Sequence, residues 1–389
     1  MNKLCVEDIN NSCGDKLAHI SRSKFKEADL DDFLKLSKLE FSNTNSTNAD
    51  HTDSKNSYVE SLLTNPAHIN WKHLNSPFGV STFLRLVIDN NTVGRVLLQP
   101  RPLYTITQKF NVACDMDMLV TREFRSPPSN FMNLIKASDG IPDFDFVYHT
   151  ANEITHKLYG RLLSFPNPFS LQSYGFPLRI AGLLSRLFNR RIDALDWLTA
   201  PFRWLIGAAA IIFCWLAGAE ISHNTMSDAE LDKLFTKCLH QSGPLLARTN
   251  EYLKWRFGDA ANFPATVYRI DRRGQFIGYI ATRQFELGGV NHLILMDFLL
   301  DTGTSLITRF ALRLWLIRLA VKEKADTLFT MVNSFNTMAH KCIGFPLVPI
   351  PDKLLPHATP IFIRAYGPQN KHFETNRSMH ITLGDLDYF

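Results

Sequence analysis

The chain has 389 residues, a length that predicts two domains of ordinary size, and its 45% hydrophobic content provides a sizeable core. Its net charge of +5 comes without dense basic runs, which argues against a nucleic-acid partner. The six cysteines form no CxxC pair and no zinc-ligand spacing, so we predict reduced buried thiols and no metal site. The N-terminus lacks the apolar stretch of a signal peptide, so we expect a cytoplasmic protein.

The first part of the chain combines one helix with a mainly β pattern. Residues 1–28 are polar and predict a loose arm, Leu30–Phe41 predicts an amphipathic helix, and Ser42–Asn56 predicts a mobile polar loop. From Tyr58 on, apolar alternation and turn signals predict compact structure. In chain order we expect a helix at Tyr58–Leu63, strands at Phe83–Ile88, Val93–Gln99 and Phe110–Val120, a helix at Phe131–Ala137, a strand at Phe144–Tyr148 and a helix at Ala151–Leu163.

The middle of the chain, residues 176–225, is first basic and then apolar. Between Arg203 and Glu220 lie 16 residues without a charge. As a helix they would span about 24 Å, less than the roughly 30 Å of a bilayer core. Three interpretations stay open: a buried interdomain helix, peripheral contact with the inner face of a membrane through residues 197–219, and a true membrane span. The tryptophans and flanking arginines suit an interface, whereas Pro201 and the short length count against a span.

The second part alternates strands and helices, and one stretch within it, Leu293–Phe345, is the most regular. Its order is strand, polar turn, helix, strand, helix and Gly-Phe, which predicts two adjacent parallel strands joined by a right-handed crossover. Its polar turn precedes a helix N-terminus, where a phosphate is best held. In chain order we expect a helix at Asp228–Leu239, strands at Ala265–Ile270, Phe276–Thr282 and Leu293–Leu300, a helix at Leu306–Val321, a strand at Thr327–Val332, a helix at Asn336–Ile343 and a strand at Pro360–Tyr366.

Four landmarks recur in the same order at nearly constant spacing. They are Trp71-Lys72 with Trp255-Arg256, Val93-Gly94-Arg95 with Ile277-Gly278-Tyr279, Asp117 with Asp297, and Asn152 with Asn333, at offsets of 184, 184, 180 and 181 residues. Constant order and spacing indicate an internal repeat. We therefore predict two copies of one α/β unit, joined by the basic and apolar middle segment.

The repeated unit resembles an acyltransferase domain of the GNAT superfamily, and the whole chain resembles the FemAB-like, two-domain bacterial branch. The motifs that carry this resemblance are YLKWRF at Tyr252–Phe257, Gly278-Tyr279, Asn333 followed by Gly344-Phe345, and the ending from His380 to Asp387. The resemblance implies an α/β (α+β) fold with two tandem GNAT-like domains, each a mixed, mostly antiparallel sheet with flanking helices. We divide the chain into an N-terminal arm, helix and loop (1–56), a first domain (57–180), a helical connector (181–225) and a second domain (226–389).

The resemblance also implies a function. The chain would be an acyl-CoA-dependent N-acyltransferase that takes acetyl-CoA or another acyl-CoA as co-substrate and an amine as acceptor, with cell-envelope or polysaccharide synthesis as one setting. Transfer would be direct, in agreement with the lack of a convincing Cys-His or Ser-His motif. Two alternatives stay open: a FemAB-like aminoacyl transferase, and a catalytically degenerate, membrane-associated binding protein.

The resemblance points to the turn after the strand Leu293–Leu300 for the CoA pyrophosphate. The family's turn is typically Gln/Arg-x-x-Gly-x-Gly/Ala, and this chain keeps one glycine of that pattern. A plain turn before a helix is the alternative for Gly303, and the first copy offers only Thr121–Ser126, without glycine. The predicted cofactor-binding residues are Thr302, Gly303, Thr304, Ser305 and Arg309.

Four residues are predicted to be catalytic: Tyr159, Asp297, Asn333 and His340. Many family members place a tyrosine, as general acid, seven residues after the asparagine; here Tyr159 follows Asn152, and His340 follows Asn333. Both could instead be ordinary packing or surface residues. Asp297 interrupts an apolar run, and a carboxylate there needs a partner or a task, so it is either the general base or a hydrogen-bonded structural group.

Overall fold

A computed structural model describes residues 18–42, 59–126, 128–151, 153–179, 196–258, 264–287, 289–351 and 359–386. Most of the predicted polar loop, Asn152 and the basic stretch up to residue 195 lie outside these residues. The helices are α1 (Leu30–Ser42), α2 (Pro66–His73), α3 (Ser129–Lys136), α4 (Glu153–Lys157, continued by a π-helical turn at Leu158–Leu162), α5 (Asp196–Ala217), α6 (Asp228–Ser242), α7 (Asn250–Phe257), α8 (Leu306–Lys322) and α9 (Thr337–Cys342).

The strands form one large mixed sheet and a small three-stranded one. They are β1 (Ala18–Lys24), β2 (Thr82–Ile88), β3 (Asn91–Pro100), β4 (Leu103–Tyr104), β5 (Lys109–Phe110), β6 (Val112–Val120), β7 (Phe146–Thr150), β8 (Phe169–Pro177), β9 (Ala219–Ser222), β10 (Leu245–Leu246), β11 (Thr266–Arg272), β12 (Gln275–Leu287), β13 (Val290–Leu300), β14 (Thr327–Val332), β15 (Val348–Pro349) and β16 (Thr359–Ala365).

The large sheet has 13 strands in the order β1-β2-β3-β6-β7-β16-β8-β14-β13-β12-β11-β9, with β15 paired to β8. From either edge, three antiparallel pairs are followed by one parallel pair, β6 with β7 or β13 with β14. Each parallel pair then meets an antiparallel strand from the other half of the chain, β16 beside β7 and β8 beside β14. The succession of strand pairings is therefore the same from each edge of the sheet to its middle.

Gly94 and Gly278 show how closely the two halves correspond. Each glycine pairs with the last residue of the next strand, Val120 or Leu300. A Cβ at Gly278 would lie 2.5 Å from the carbonyl oxygen of Leu299, closer than real Cβ atoms come. Glycine is therefore required where β12 and β13 approach each other beside a β-bulge.

The predicted crossover from β13 through α8 to the parallel strand β14 is confirmed. Among the described residues, two strands of seven or more residues were not predicted. Ala18–Lys24, assigned to a loose arm, pairs with β2 along its full length. Phe169–Pro177, which received no assignment, is β8. Both depend on partners distant in the chain, so local periodicity carries little signal for them.

The helix α5 is buried on one side and exposed on the other. Its buried side chains, Ile206, Ala210 and Ala217, face the protein, and Phe213 packs edge-on against Phe310 of α8. The other side of the helix is exposed. Thr199–Ala217 is long and apolar enough to cross a membrane by length and composition, and 17% of its most apolar window is buried. Because one side of the helix is exposed, the interpretation of α5 as a buried interdomain helix is wrong.

Candidate functional site

The candidate sites lie where the two parallel strand pairs separate. The strands β13 and β14 are paired only from His292–Ile294 to Thr327–Phe329, although both continue further. In the first half, β6 and β7 are paired up to Asp115 and His149, and β6 then runs on to Val120. Backbone groups beyond the last pairs need other partners, so each opening must be filled by protein, water or a ligand.

The opening in the second half is filled by the chain itself. The segment 380–386, here called the C-terminal segment, forms an antiparallel bridge between Thr382 and Val332 of β14. On its other side, the His380 ring contacts the carbonyl oxygen of Phe298 at 3.2 Å. A Cβ at Gly384 would meet the Met296 carbonyl oxygen at 3.3 Å. No room for a ligand is left between these two strands.

Asp297, the predicted base, contacts the C-terminal segment that fills the opening. Its carboxylate is fully buried, pairs with the Arg248 guanidinium at 2.8 Å and accepts hydrogen bonds from the hydroxyls of Tyr279 (2.8 Å) and Thr382 (2.9 Å). Arg248 also pairs with Asp385 of the C-terminal segment. This geometry fits the structural alternative, because each partner of the carboxylate belongs to the fold; the role of Asp297 as general base stays a prediction.

Asn333 is also a structural residue. Its side-chain amide donates to the carbonyl oxygens of Arg377 and Met379, each at 2.7 Å, and its Oδ1 accepts from the Phe335 amide at 3.1 Å. Asn333 thereby anchors the chain that enters the opening. His340, the second copy's predicted acid, is exposed on α9. Among the described residues, no hydrogen bond or ion pair joins His340 to Asp297 or Asn333.

The predicted pyrophosphate turn of the second half is closed from within. The Asp301 carboxylate accepts the Gly303 amide at 2.9 Å and pairs with Lys237 at 2.7 Å. Gln241 accepts the Thr302 amide, and the Thr304 amide donates to the Asp301 carbonyl oxygen. Although burial acts to raise it, the pKa of Asp301 is lowered, because Lys237 and the Gly303 amide stabilise the charged form.

The rest of this turn starts α8. The Ser305 hydroxyl accepts the Thr308 amide at 3.2 Å and caps the helix, and the Arg309 amide donates to the Ser305 carbonyl oxygen. The Nε atom of Arg309 is buried and has no hydrogen-bond partner within the described part of the chain. The turn therefore places an aspartate carboxylate where the resemblance predicts a phosphate.

The opening in the first half is less tightly filled. No isolated bridge among the described residues crosses from β6 to β7. Met118 and Leu119 are half-buried, whereas Phe298 and Leu299, the corresponding residues of β13, are buried. Met118 nevertheless packs against the cluster that contains the buried rings of Tyr159 and Phe165, so the first-half opening is lined by aromatic side chains.

Two side chains meet at the base of this opening. The Nδ1 atom of His149 lies 2.6 Å from Oδ2 of Asp115, and both side chains are buried. An ionised carboxylate only accepts hydrogen bonds, so Nδ1 carries the proton and Nε2 is the basic nitrogen. Nε2 is buried and has no hydrogen-bond partner among the described residues. An imidazole oriented by a carboxylate, with its second nitrogen free, is equipped to accept a proton.

Tyr159, the predicted acid of the first half, is part of the same group. Its hydroxyl donates to Oδ2 of Asp115 at 2.8 Å, and its ring packs against His149 with the centroids 4.8 Å apart. Burial and the neighbouring Asp115 charge raise the pKa of Tyr159 well above its usual range. The hydroxyl is therefore a poor acid, and its hydrogen bond holds Asp115 in place.

His149 was missed from the sequence. It sits in an apolar strand, FVYHT, 34 residues from Asp115, and only the parallel pairing of β6 with β7 brings the two together. The available signal was a histidine at the end of a strand, three residues before the landmark Asn152. Such a position at the carboxyl end of a parallel strand favours a functional role.

A second buried group in the first half combines a histidine, an aspartate, a lysine and a serine. His73 contacts Oδ2 of Asp117 at 2.6 Å and the Ser81 hydroxyl at 2.9 Å, and Lys72 pairs with Oδ1 of Asp117 at 2.9 Å. Burial acts to raise the pKa of Asp117, but the Lys72 charge and the His73 hydrogen bond hold it well below its usual range. These residues resemble a serine-hydrolase triad in composition, but both ring nitrogens of His73 have partners within the group, which fits a structural role.

A cavity of about 330 Å³ opens beside the first-half turn that follows β6. It is lined by α1, by the β2–β3 turn at 90–93 and by Thr121–Phe124. Its lining carries two cations, Lys35 and Arg122, and three carboxylates, Asp32, Glu40 and Glu123. Glu40 pairs with Arg125 at 2.7 Å. Among the described residues, no group of three His, Cys, Asp or Glu side chains could hold a metal ion.

Comparison with known proteins identifies the fold. No protein-family model and no curated protein sequence matches this chain. Among solved structures, the chain is similar to a GCN5-related N-acetyltransferase from Anabaena variabilis ATCC 29413, with a TM-score of 0.52 and 11% identity over 89% of this chain and 73% of that one. It is also similar to Saccharomyces cerevisiae N-myristoyltransferase with bound myristoyl-CoA, with a TM-score of 0.53 and 12% identity over 93% and 81% of the two chains.

These likenesses show the fold. The chain has the mixed α/β architecture of GNAT-like acyltransferases, as the sequence motifs predicted, and the likeness extends over most of its length. Identities of 11% and 12% carry no residue roles from one protein to another. The FemAB-like branch stays a prediction.

Proposed function

We propose that this protein is an acyl-CoA-dependent N-acyltransferase and that its reaction centre lies in the first half of the chain. The observation that carries the proposal is the His149–Asp115 pair at the point where β6 and β7 separate. The fold supports an acyl-CoA co-substrate, because the similar N-myristoyltransferase structure contains bound myristoyl-CoA.

The choice of the first half follows from a contrast between two corresponding places. In the second half, the opening holds the C-terminal segment, and the phosphate turn holds the Asp301 carboxylate. In the first half, the opening has no such bridge among the described residues, and a cavity with Lys35 and Arg122 lies beside the turn. We therefore assign acyl-CoA to the first half and a supporting role to the second.

The chemistry needs one group that moves a proton. The amine nitrogen attacks the thioester carbonyl carbon, a C–N bond forms, and the C–S bond breaks to release CoA. Nε2 of His149 takes the proton that the amine loses, and Asp115 stabilises the resulting imidazolium. The same proton then passes to the CoA thiolate, so an acyl-CoA and an amine become an amide and free CoA thiol.

A second candidate is a catalytically degenerate binding protein. The occupied turn at Asp301 and the exposed apolar side of α5 favour it. Such a protein would bind no CoA, or would bind it without turnover. A FemAB-like aminoacyl transferase is the third possibility, and it would use charged tRNA in place of acyl-CoA.

Calorimetry with CoA and a thiol-release assay separate these candidates. Purified full-length protein is titrated with CoA, then incubated with acetyl-CoA or myristoyl-CoA and a panel of amino sugars, amino acids and peptides. The proposal expects CoA binding and amine-dependent thiol release. Binding without release for every acceptor would favour the degenerate protein, and the absence of binding would refute the proposal.

Paired histidine variants test the assigned half. His149→Gln should lower the rate of thiol release by about 10²-fold or more, because general-base catalysis contributes about 10²–10⁴-fold. His340→Gln, in the second half and exposed, is the matched control and should keep full activity. The reverse result would leave the acyltransferase proposal standing and move the reaction centre to the second half.

A further inference from the structure

The exposed side of α5 is an unusual concentration of apolar surface. Leu205, Ile211, Ile212 and Leu216 are each more than half exposed, and so is Phe202. Three tryptophans stand among them, Trp197 at 69%, Trp204 at 75% and Trp215 at 78% exposure. Monomeric soluble proteins rarely expose apolar patches of this kind without a partner for them.

The patch extends beyond α5. Phe213 and Cys214 contact Phe310 and Ala311 of α8, so the C-terminal end of α5 lies beside the N-terminal part of α8. That part of α8 begins with two further exposed apolar residues, Leu306 at 75% and Ile307 at 51%. Phe345 is also exposed, and its ring stacks on that of Phe310.

Arginines stand at both ends of this surface. At the C-terminal end, the Arg272 side chain donates to the Ala217 carbonyl oxygen, and the Arg273 amide donates to that of Gly218. At the N-terminal end, Arg203 donates to the backbone near Asp196, and Arg179 pairs with the Asp196 carboxylate. Between Arg203 and Glu220 the helix carries no charge. Against these four arginines stand two carboxylates, Asp196 and Glu220. An uncharged apolar strip whose ends carry more cations than carboxylates complements the acyl region and the anionic headgroups of a bilayer surface.

We propose that α5, with the start of α8, docks this protein on the surface of an anionic lipid bilayer. The helix lies in the plane of the interface, because its opposite side is packed against α8 and cannot also face lipid. Tryptophan rings suit the headgroup level, where their apolar bodies and N–H groups both find partners. This inference is independent of acyl transfer, since it rests on the connector helix α5 and the start of α8 and uses none of the residues assigned to the reaction.

Vesicle binding by the full-length protein tests the proposal. Co-sedimentation is measured with vesicles of phosphatidylcholine and with vesicles containing phosphatidylglycerol. We expect binding to both, stronger for the anionic vesicles and reduced by salt. Trp204→Glu and Trp215→Glu should each lower the partition coefficient by about tenfold or more, because each removes apolar contact and adds a charge that the anionic surface repels. Ile106→Glu, at an exposed apolar position outside the patch, is the matched control and should bind like the wild type.

A second measurement avoids destabilising substitutions. Brominated lipids should quench the fluorescence of the bound wild-type protein, and the Trp204→Phe/Trp215→Phe variant should bind with most of that quenching lost. Failure of the wild type to bind phosphatidylglycerol vesicles would overturn the proposal. So would sedimentation of a wild-type dimer that Trp215→Glu converts to a monomer without vesicle binding, since the face would then be covered by a second copy.

Discussion

Trp71 and Trp255 stack on each other and are joined by two reciprocal hydrogen bonds. Their rings stack with centroids 5.0 Å apart, and each indole N–H donates to the backbone carbonyl oxygen of the other residue, at 2.8 Å and 2.9 Å. The two residues end equivalent helices, α2 and α7, and are 184 positions apart. A reciprocal contact of this kind is expected of residues related by an approximate two-fold axis.

Removing one indole donor should weaken the joint between the halves. Trp71→Phe keeps an aromatic ring but leaves the carbonyl oxygen of Trp255 without its donor, and Trp255→Phe does the converse. Each should lower the free energy of unfolding by about 1–3 kcal/mol. Urea denaturation measures this cost, with Trp315→Phe, a half-buried tryptophan outside the pair, as the control. Unequal costs, with one variant neutral, would contradict the reciprocal arrangement.

The same pair shows which features of the fold can be predicted from the sequence. Trp71 and Trp255 were aligned from sequence, and so were Gly94 and Gly278, because a repeated unit places the same residue types at the same distances. The exchange of β8 and β16 between the halves left no such trace. Strand pairing depends on neighbours that come together only in the folded state. The sequence pattern of a strand does not show which half of the chain its neighbour belongs to.

The site was less accessible to prediction than the fold. Asp297 stood out as a carboxylate in an apolar run, but the partner that explains it, Arg248, is 49 residues away. The reverse holds for His149, whose only local signal was its place at the end of a strand, although its Nε2 has no hydrogen-bond partner among the described residues. Whether a polar residue is satisfied by the fold or left available depends on contacts that periodicity does not encode.

Asp297→Asn distinguishes a structural role from a catalytic one. Breaking a buried ion pair on one side costs about 3–5 kcal/mol, so the unfolding free energy should fall by about that amount. The activity per folded molecule should stay within about threefold of wild type, because the carboxylate does not reach substrate. Urea denaturation and the thiol-release assay, run on the same preparation, measure both quantities. A loss of about 10²-fold in rate with unchanged stability would restore Asp297 as the base.

Tyr159→Phe and Asp115→Asn measure how much each of these two residues contributes to the reaction rate through His149. Asp115 orients the imidazole and stabilises its charged form, so Asp115→Asn should lower the rate by about 10²-fold or more. Tyr159→Phe removes one hydrogen bond to Asp115 and should cost only about tenfold, equivalent to about 1.4 kcal/mol. Single-turnover thiol release is the measurement, with circular dichroism as the check on folding. If Tyr159→Phe were as damaging as His149→Gln, the tyrosine would be the proton donor after all.

The buried histidines predict how stability depends on pH. Burial lowers the pKa of His73 and of His380 to about 4 and that of His68 to about 3. Because unfolded histidine has a pKa near about 6.5, the unfolded state binds more protons than the native state between these values. The free energy of unfolding should therefore fall as the pH is lowered from 6.5 towards 4, by about 1.4 kcal/mol per pH unit for each histidine.

His380 allows this dependence to be assigned. Its Nε2 donates to the Phe298 carbonyl oxygen, while its buried Nδ1 has no hydrogen-bond partner among the described residues, so the native state favours the neutral ring. Replacing the histidine with a residue that does not titrate removes one of the three contributions. Urea denaturation at pH 7, 6 and 5 should show a pH slope about one third smaller for His380→Asn, with exposed His340→Asn as the control. An unchanged slope would mean that His380 is already protonated in the native state and that the C-terminal segment holds a charged ring.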